Sequence, residues 1–206
     1  MNQKPYLVGI VGGSGSGKSY FLGRLLEALG KDQVCLVSQD NYYRPFEEHP
    51  VDEQGIRNFD LPQSIDFDAF VHDIEQLMNG HTVSRPEYTF NNPEREPEEI
   101  VVEARPTIIL EGLYVLYDER VTQHIDCKVF VDAHYPVMIR RRIARDHAER
   151  GYNLDDVLYR YENHVMPAFE RYIAPLRSHA DIIVPNNGNI DIALEVLTHH
   201  LKAKLA

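Results

Sequence analysis

Five short apolar runs punctuate the chain: residues 6–11, 34–38, 107–110, 127–132 and 181–184. They are rich in Val, Ile and Leu and lack the polar alternation of a half-exposed strand. Each therefore reads as a strand covered on both faces, the signature of a parallel sheet. Between the runs, apolar residues recur at helical spacing. Phe21, Leu22, Leu25, Leu26 and Leu29 form one such face, closed by Gly30. Phe67, Phe70, Val71, Ile74, Leu77 and Met78 form a second, opened by Asp66 as N-cap and ended by Gly80. A third begins at Asn153, carries Val157, Leu158 and Tyr161, and stops at Pro167, and the last carries Ile192, Leu194, Val196, Leu197 and Leu201. Strands alternating with helices predict an α/β fold: a five-stranded parallel sheet flanked by helices, with right-handed crossovers.

Two stretches break this rhythm. Residues 44–63, with Pro45, Pro50, Gly55 and Pro62, read as loop. Residues 82–105 hold three β-like runs, Thr82-Val83, Tyr88-Thr89-Phe90 and Ile100-Val101-Val102, separated by Pro86, Pro93 and Pro97. They predict a small β-hairpin insertion, and the acidic run from Glu94 to Glu103 predicts a solvated face.

Composition narrows the field. With 206 residues the expectation is a single domain, 1–206. A formal net charge of −11 argues against nucleic acid or an anionic membrane as partner, so any phosphate site needs a local basic cluster. Cys35 and Cys127 sit in apolar strand runs and read as buried free thiols of a reducing compartment. The opening Met1-Asn2-Gln3-Lys4-Pro5 lacks the apolar core of a secretory leader, and no run is long enough for a bilayer. The expected location is the cytoplasm. The 10 histidines show no metal-ligand spacing.

The first strand leads directly into Gly12-Gly13-Ser14-Gly15-Ser16-Gly17-Lys18-Ser19, the pattern G-x-x-x-x-G-K-[ST] in its required strand–loop–helix setting. Glycines let the backbone wrap an anion, and the loop N–H groups and the helix N-terminus supply positive potential. Lys18 can reach β- and γ-phosphates, and the Ser19 hydroxyl can ligate Mg²⁺. Ligand groups of wound sheets collect just past the carboxyl ends of strands. Asp40 follows the second strand and Glu111 ends the third, so both can face the phosphates or hold a metal-bound water. Residues 140–150 contain five arginines in an otherwise acidic protein. Arg142 and Arg145 share a helix face, and the cluster as a whole reads as a phosphate clamp; for any single arginine the lesser alternative is a solvated helix with i,i+4 pairs such as Arg142–Asp146 and Arg145–Glu149.

Taken together, the loop, Ser38-Gln39-Asp40 with Tyr43-Arg44, Asn58-Phe59-Asp60, Tyr88 with Phe90, Glu111-Gly112, Arg142 to Asp146 with Glu149-Arg150-Gly151, and Ala180 to Pro185 resemble the phosphoribulokinase/uridine kinase family of P-loop kinases over nearly the whole chain. The resemblance implies ATP as donor, Mg²⁺, a nucleoside-like acceptor and a homo-oligomer. It implies Asp40 as base toward a 5′-hydroxyl and near the metal, with Ser19 and Glu111 in the metal shell. Tyr43, Asp60, Arg142 and Arg160 fall at acceptor positions, Asp60 and Arg142 on the ribose, with Tyr88 and Phe90 from the hairpin on the base. Arg145 and Arg150 would belong to a lid at about 140–152 over the phosphates.

The chain departs from the family at acceptor positions. A His five places after the hairpin Tyr is Pro93, the second Arg of an E-R-G-R run is Tyr152, a ribose Gln is Arg160, and the Arg after the last strand's Pro is Asn186. Uridine or cytidine is the expected acceptor, with weak or shifted base preference. Another nucleoside, a sugar phosphate, or a noncatalytic nucleotide-binding role stays open. A GTPase switch is disfavoured, because its N-K-x-D motif is missing.

Overall fold

The computed structural model describes residues 4–30, 32–89 and 95–205, with side chains for all of these but Glu149 and Arg150. Strands β1 (Tyr6–Val11), β2 (Val34–Ser38), β5 (Thr107–Gly112), β6 (Cys127–Asp132) and β7 (Ile182–Pro185) form one parallel sheet in the order β2-β5-β1-β6-β7. Its residues alternate between two cores. Leu7 and Val11 of β1, Ile108 and Leu110 of β5 and Phe130 of β6 face one core. Val8, Ile10, Ile109, Val129 and Val131 face the other. Both faces are covered, which is why the strand sequences show no polar alternation.

Helices α1 (Lys18–Leu29) and α7 (Asp191–Leu205) cover one face, with Phe21, Leu25, Leu197 and Leu201 fully buried. The apolar residues of α7 do not share one side, however. Leu194, Leu197 and Leu201 face the sheet, whereas Ile192 and Val196 stand in solvent, because positions 192 and 196 fall outside the 194/197/201 stripe. The other face is covered by α2 (Phe67–Met78), whose Asp66 N-cap accepts a hydrogen bond from the Ala69 N–H, and by the chain around Phe169 and Ile173.

The described residues of 82–105 include a hairpin pairing. β3 (Val83–Pro86) pairs antiparallel with β4 (Glu99–Val102), apart from the main sheet. Tyr88 and Thr89 lie beyond β3 and are not in a strand. After a short helix α3 (Glu119–Thr122) comes the arginine-rich α4 (Tyr135–Arg150), which Gly151 ends in a left-handed conformation, φ 67°. Helix α5 (Leu154–Arg160), capped by the Asn153 side chain on the Asp156 N–H, does not stop at Pro167. It continues through wide i→i+5 turns at Tyr161–Val165, a short α6 (Met166–Ala168) and a second wide segment, Phe169–Ile173. Pro167 lies just where the first wide segment gives way to α6, and buried Val165, Ala168, Phe169 and Ile173 hold the run in place. Among the described residues, no helix is long and apolar enough to cross a membrane.

Candidate active site

The central strand β1 delivers the phosphate loop to the carboxyl edge of the sheet, between β5 and β6. Two of its glycines have no substitute. Gly15 and Gly17 adopt φ 79° and 90°, and a Cβ on Gly17 would fall on the Asn186 Nδ2. The loop is braced from outside. Asn186 Nδ2 donates to the Ser16 carbonyl at 2.8 Å, and Arg141 Nη1 donates to the same oxygen at 3.1 Å. Lys18 Nζ donates to the Gly12 carbonyl at 2.8 Å. Burial pushes the Lys18 ammonium below its usual value, while Glu111 and Asp40 pull it back and Arg145 lowers it further.

Parallel pairing places Ser38 of β2 opposite Glu111 of β5, and the Ser38 hydroxyl donates to Glu111 Oε1 at 2.7 Å. Asp40 sits in the turn Gln39–Tyr42 directly after β2. Asp40, Glu111, Lys18 and Ser19 all line one cavity of about 510 Å³. A hydroxyl and two carboxylates form a hard-oxygen donor set suited to a small divalent cation. No group of three or more His, Cys, Asp or Glu side chains that could hold a metal exists among the described residues. A metal here would share its coordination between these few oxygens and the substrate phosphates, as Mg²⁺ commonly does.

Helix α4 supplies the cations. Arg142 is buried, donates through Nη1 to the Ser14 hydroxyl at 2.9 Å, and lies 3.9 Å from Asp60 Oδ1. Its Nε is 3.1 Å from Asp146 Oδ2, and Arg145 Nε and Nη2 each lie 2.9 Å from Asp146 Oδ1. Arg142 thus forms the i,i+4 pair and lines the cavity at once. Asp146 is 1% exposed and aims both guanidiniums; sequence reading treated it only as a helix-surface partner. Its only sequence signal is the i,i+4 spacing from Arg142; its burial and its hold on Arg145 appear only in the fold.

At the far end, the Tyr43 and Tyr88 rings lie 4.9 Å apart, beside Phe46, Phe59 and Asp60. The Tyr114 hydroxyl donates to the Asp60 carbonyl. Burial, then Asp40 and Asp60, push the Tyr43 phenol well above its usual value, so it stays a neutral hydroxyl. Arg160 lines this end without pairing to Asp156; its Nη1 donates to the Arg57 carbonyl at 3.1 Å, and its guanidinium lies 5.7 Å from the Tyr152 ring. Of the loop, Ser14, Gly15, Gly17, Lys18 and Ser19 line the cavity, whereas Gly12, Gly13 and Ser16 lie behind it, buried. Phe90, Asn91, Asn92 and Pro93 lie outside the described residues, as does the Arg150 side chain.

A parallel sheet of this order, with a phosphate loop on its central strand and an arginine-rich helix across the cleft, defines a P-loop kinase fold. The chain belongs to the phosphoribulokinase / uridine kinase family, whose profile matches residues 7–193. A uridine kinase of Brevibacillus brevis is 39% identical over 94% of this chain and 91% of its own. Uridine-cytidine kinase B of Dictyostelium discoideum is 31% identical over 100% of this chain and 84% of its own. Two solved structures share the fold: phosphoribulokinase from Rhodobacter spheroides (TM-score 0.64, 16% identity, 88% of this chain and 70% of that one) and D-glycerate 3-kinase from Cryptococcus neoformans (TM-score 0.58, 16% identity, 82% and 79%). The family and fold imply ATP as a substrate and a divalent metal with it.

Proposed function

We propose that this chain is an ATP:nucleoside 5′-phosphotransferase acting on uridine and cytidine and yielding the nucleoside monophosphates, a pyrimidine-salvage reaction. One observation carries the reading: a single cavity joins the phosphate loop to an aromatic, carboxylate-bearing end formed by Tyr43, Tyr88, Phe59 and Asp60. It can hold donor phosphates and an acceptor hydroxyl side by side, which is most of what a loose phosphoryl-transfer transition state requires. The names of the curated relatives supply the acceptor.

In this reading the loop from Gly12 to Ser19 cradles the triphosphate, and Lys18 and Arg145 meet the charge that spreads over the transferred group. Asp40 takes the proton of the 5′-hydroxyl. Asp60 and Arg142 hold the ribose, and Tyr43, Tyr88 and Phe90 border the base. Ser19, Asp40 and Glu111 would hold Mg²⁺, which would supply charge neutralisation to the donor phosphates. Arg145 and Arg150 belong to a lid at residues 140–152 that excludes water, on one domain with the hairpin as acceptor insertion. The two buried, unpaired thiols suit a reducing compartment such as the cytoplasm.

A second reading draws on Arg160: a cation lining the acceptor end favours an acceptor bearing an anionic group. Steady-state kcat/KM for uridine, cytidine, purine nucleosides and sugar phosphates separates the two. Uridine and cytidine are expected to lead, with Asp40→Asn lowering kcat by roughly 10²–10⁴-fold and ATP affinity far less. Preference for a sugar phosphate that disappears in Arg160→Gln would replace the nucleoside assignment.

A further inference from the structure

The loop 46–60 brings Phe46, Phe59 and Asp60 to the cavity, yet the core hardly holds it. Of these residues only His49 is buried, Val51 is exposed, and Phe46 is 44% exposed. Polar contacts hold much of it in place, and four of them meet on one carboxylate. Asp52 Oδ1 accepts from the Gln54 and Ile56 N–H groups at 2.9 and 2.8 Å, closing the loop on itself. Asp52 Oδ2 accepts from the Tyr159 hydroxyl at 2.7 Å and from His164 Nε2 at 2.8 Å, fastening the loop to α5 and to the wide turn after it. His164 is 1% exposed, so this anchor point is rigid. Burial works against charge on Asp52, but the bonds from Tyr159, His164, Ile56 and Gln54 hold its carboxyl well below the usual range.

A second tether runs parallel. Arg160 donates to the Arg57 carbonyl; Arg57 in turn donates to the Glu47 and His49 carbonyls at 3.1 Å each and lies 4.6 Å over the Phe46 ring. The pinned loop therefore sets the position of an aromatic wall and of Asp60.

We propose that Asp52, through His164 and Tyr159, is a positioning residue for the acceptor: it holds the 46–60 loop in its acceptor-binding arrangement before the acceptor arrives. The inference rests on the nucleoside-kinase reading of the cavity. A loop that is not preordered must be ordered by the ligand, and that free energy is lost from ligand affinity. The loss should fall chiefly on the acceptor: no residue of loop 46–60 hydrogen-bonds the phosphate loop directly among the described residues, and the one link between them runs through Asp60, 3.9 Å from Arg142, which donates to Ser14.

The test measures both substrates and the loop itself. In Asp52→Ala, KM for uridine is expected to rise about tenfold or more, in keeping with the loss of charge-assisted hydrogen bonds, with KM for ATP within about twofold. Amide hydrogen exchange at residues 54–57 should accelerate while β1 and α1 keep their protection. His164→Leu should reproduce the uridine effect in part and His164→Gln, which retains a donor, should rescue it. If Asp52→Ala does not fold, this pair and Tyr159→Phe carry the same comparison. An unchanged uridine KM in folded variants, or equal losses for uridine and ATP, overturns the proposal. A wild-type protein that phosphorylates no nucleoside overturns the functional reading instead, and the exchange of the loop amides still decides whether Asp52 pins the loop.

Discussion

Asp146 is the residue on which two cations depend. It is buried, and it holds both Arg142 and Arg145. Removing one partner of a buried ion pair leaves the other charge uncompensated, at about 3–5 kcal/mol. Asp146→Asn keeps the shape and loses the charge. It is expected to lower both melting temperature and kcat, the latter by about 10–10²-fold, because two guanidiniums lose their aim; thermal melts and initial rates check both. Asp52 gives a second test, in pH. Its native carboxyl titrates below the value near 3.9 of an unfolded chain. The stability it contributes is therefore complete above about pH 4 and is lost as the pH falls below that value. The melting temperature of Asp52→Asn should decline less steeply between about pH 4 and 2 than that of the wild type. Of these partnerships the sequence shows only the i,i+4 spacing of Arg142 and Asp146; the rest was not legible, for a physical reason. Lys18, Ser19, Asp40 and Glu111 announce themselves by a local motif or a strand end, whereas Asp52 meets Tyr159 and His164 across 107 and 112 residues. Asn186, which reads in isolation as a departure from a family arginine, turns out to brace the phosphate loop through the Ser16 carbonyl.

Among the elements, the phosphate loop is the least tolerant of change. Gly17 combines φ 90° with the nearby Asn186 amide. Gly17→Ala requires a left-handed alanine, at about 1–2 kcal/mol, and displaces Asn186 as well. The expected result is a melting temperature several degrees lower and an ATP KM raised about tenfold or more, measured on the same preparation. The pattern revealed the helices α1 and α2, each with one covered side, and the sheet strands, which are covered on both faces and so appear as unbroken apolar runs. The chain past Arg160 was hidden for a different reason. A proline normally ends a helix, but here wide turns and buried Val165 and Phe169 carry the chain past it. In α7 the apolar residues outnumber the buried ones, so composition overstated the face that packs.

At the scale of the whole molecule, net charge and local charge have opposite signs. The chain carries −11, yet Lys18, Arg141, Arg142, Arg145 and Arg160 line one cavity with Asp40, Asp60 and Glu111. Cations gathered in a cleft focus the field there and draw in polyanions that the rest of the surface repels.

The strand order has a consequence in heat. β1 lies in the middle of the sheet, bonded on both sides, and its end is the phosphate loop; the β3–β4 hairpin, here proposed to serve the acceptor, is a separate two-stranded ribbon, held by Val83 in the core and by Arg85 to Asn41 and Asp73. The centre of a sheet opens only with the entire fold, whereas an isolated ribbon opens at a fraction of that free energy. On warming, the two halves of the reaction should therefore fail in sequence: phosphoryl transfer to a nucleoside first, at temperatures where a fluorescent ATP analogue still binds, and nucleotide binding only with the final melt. A protein that loses both at one temperature would have its hairpin and its sheet melting as a single cooperative unit.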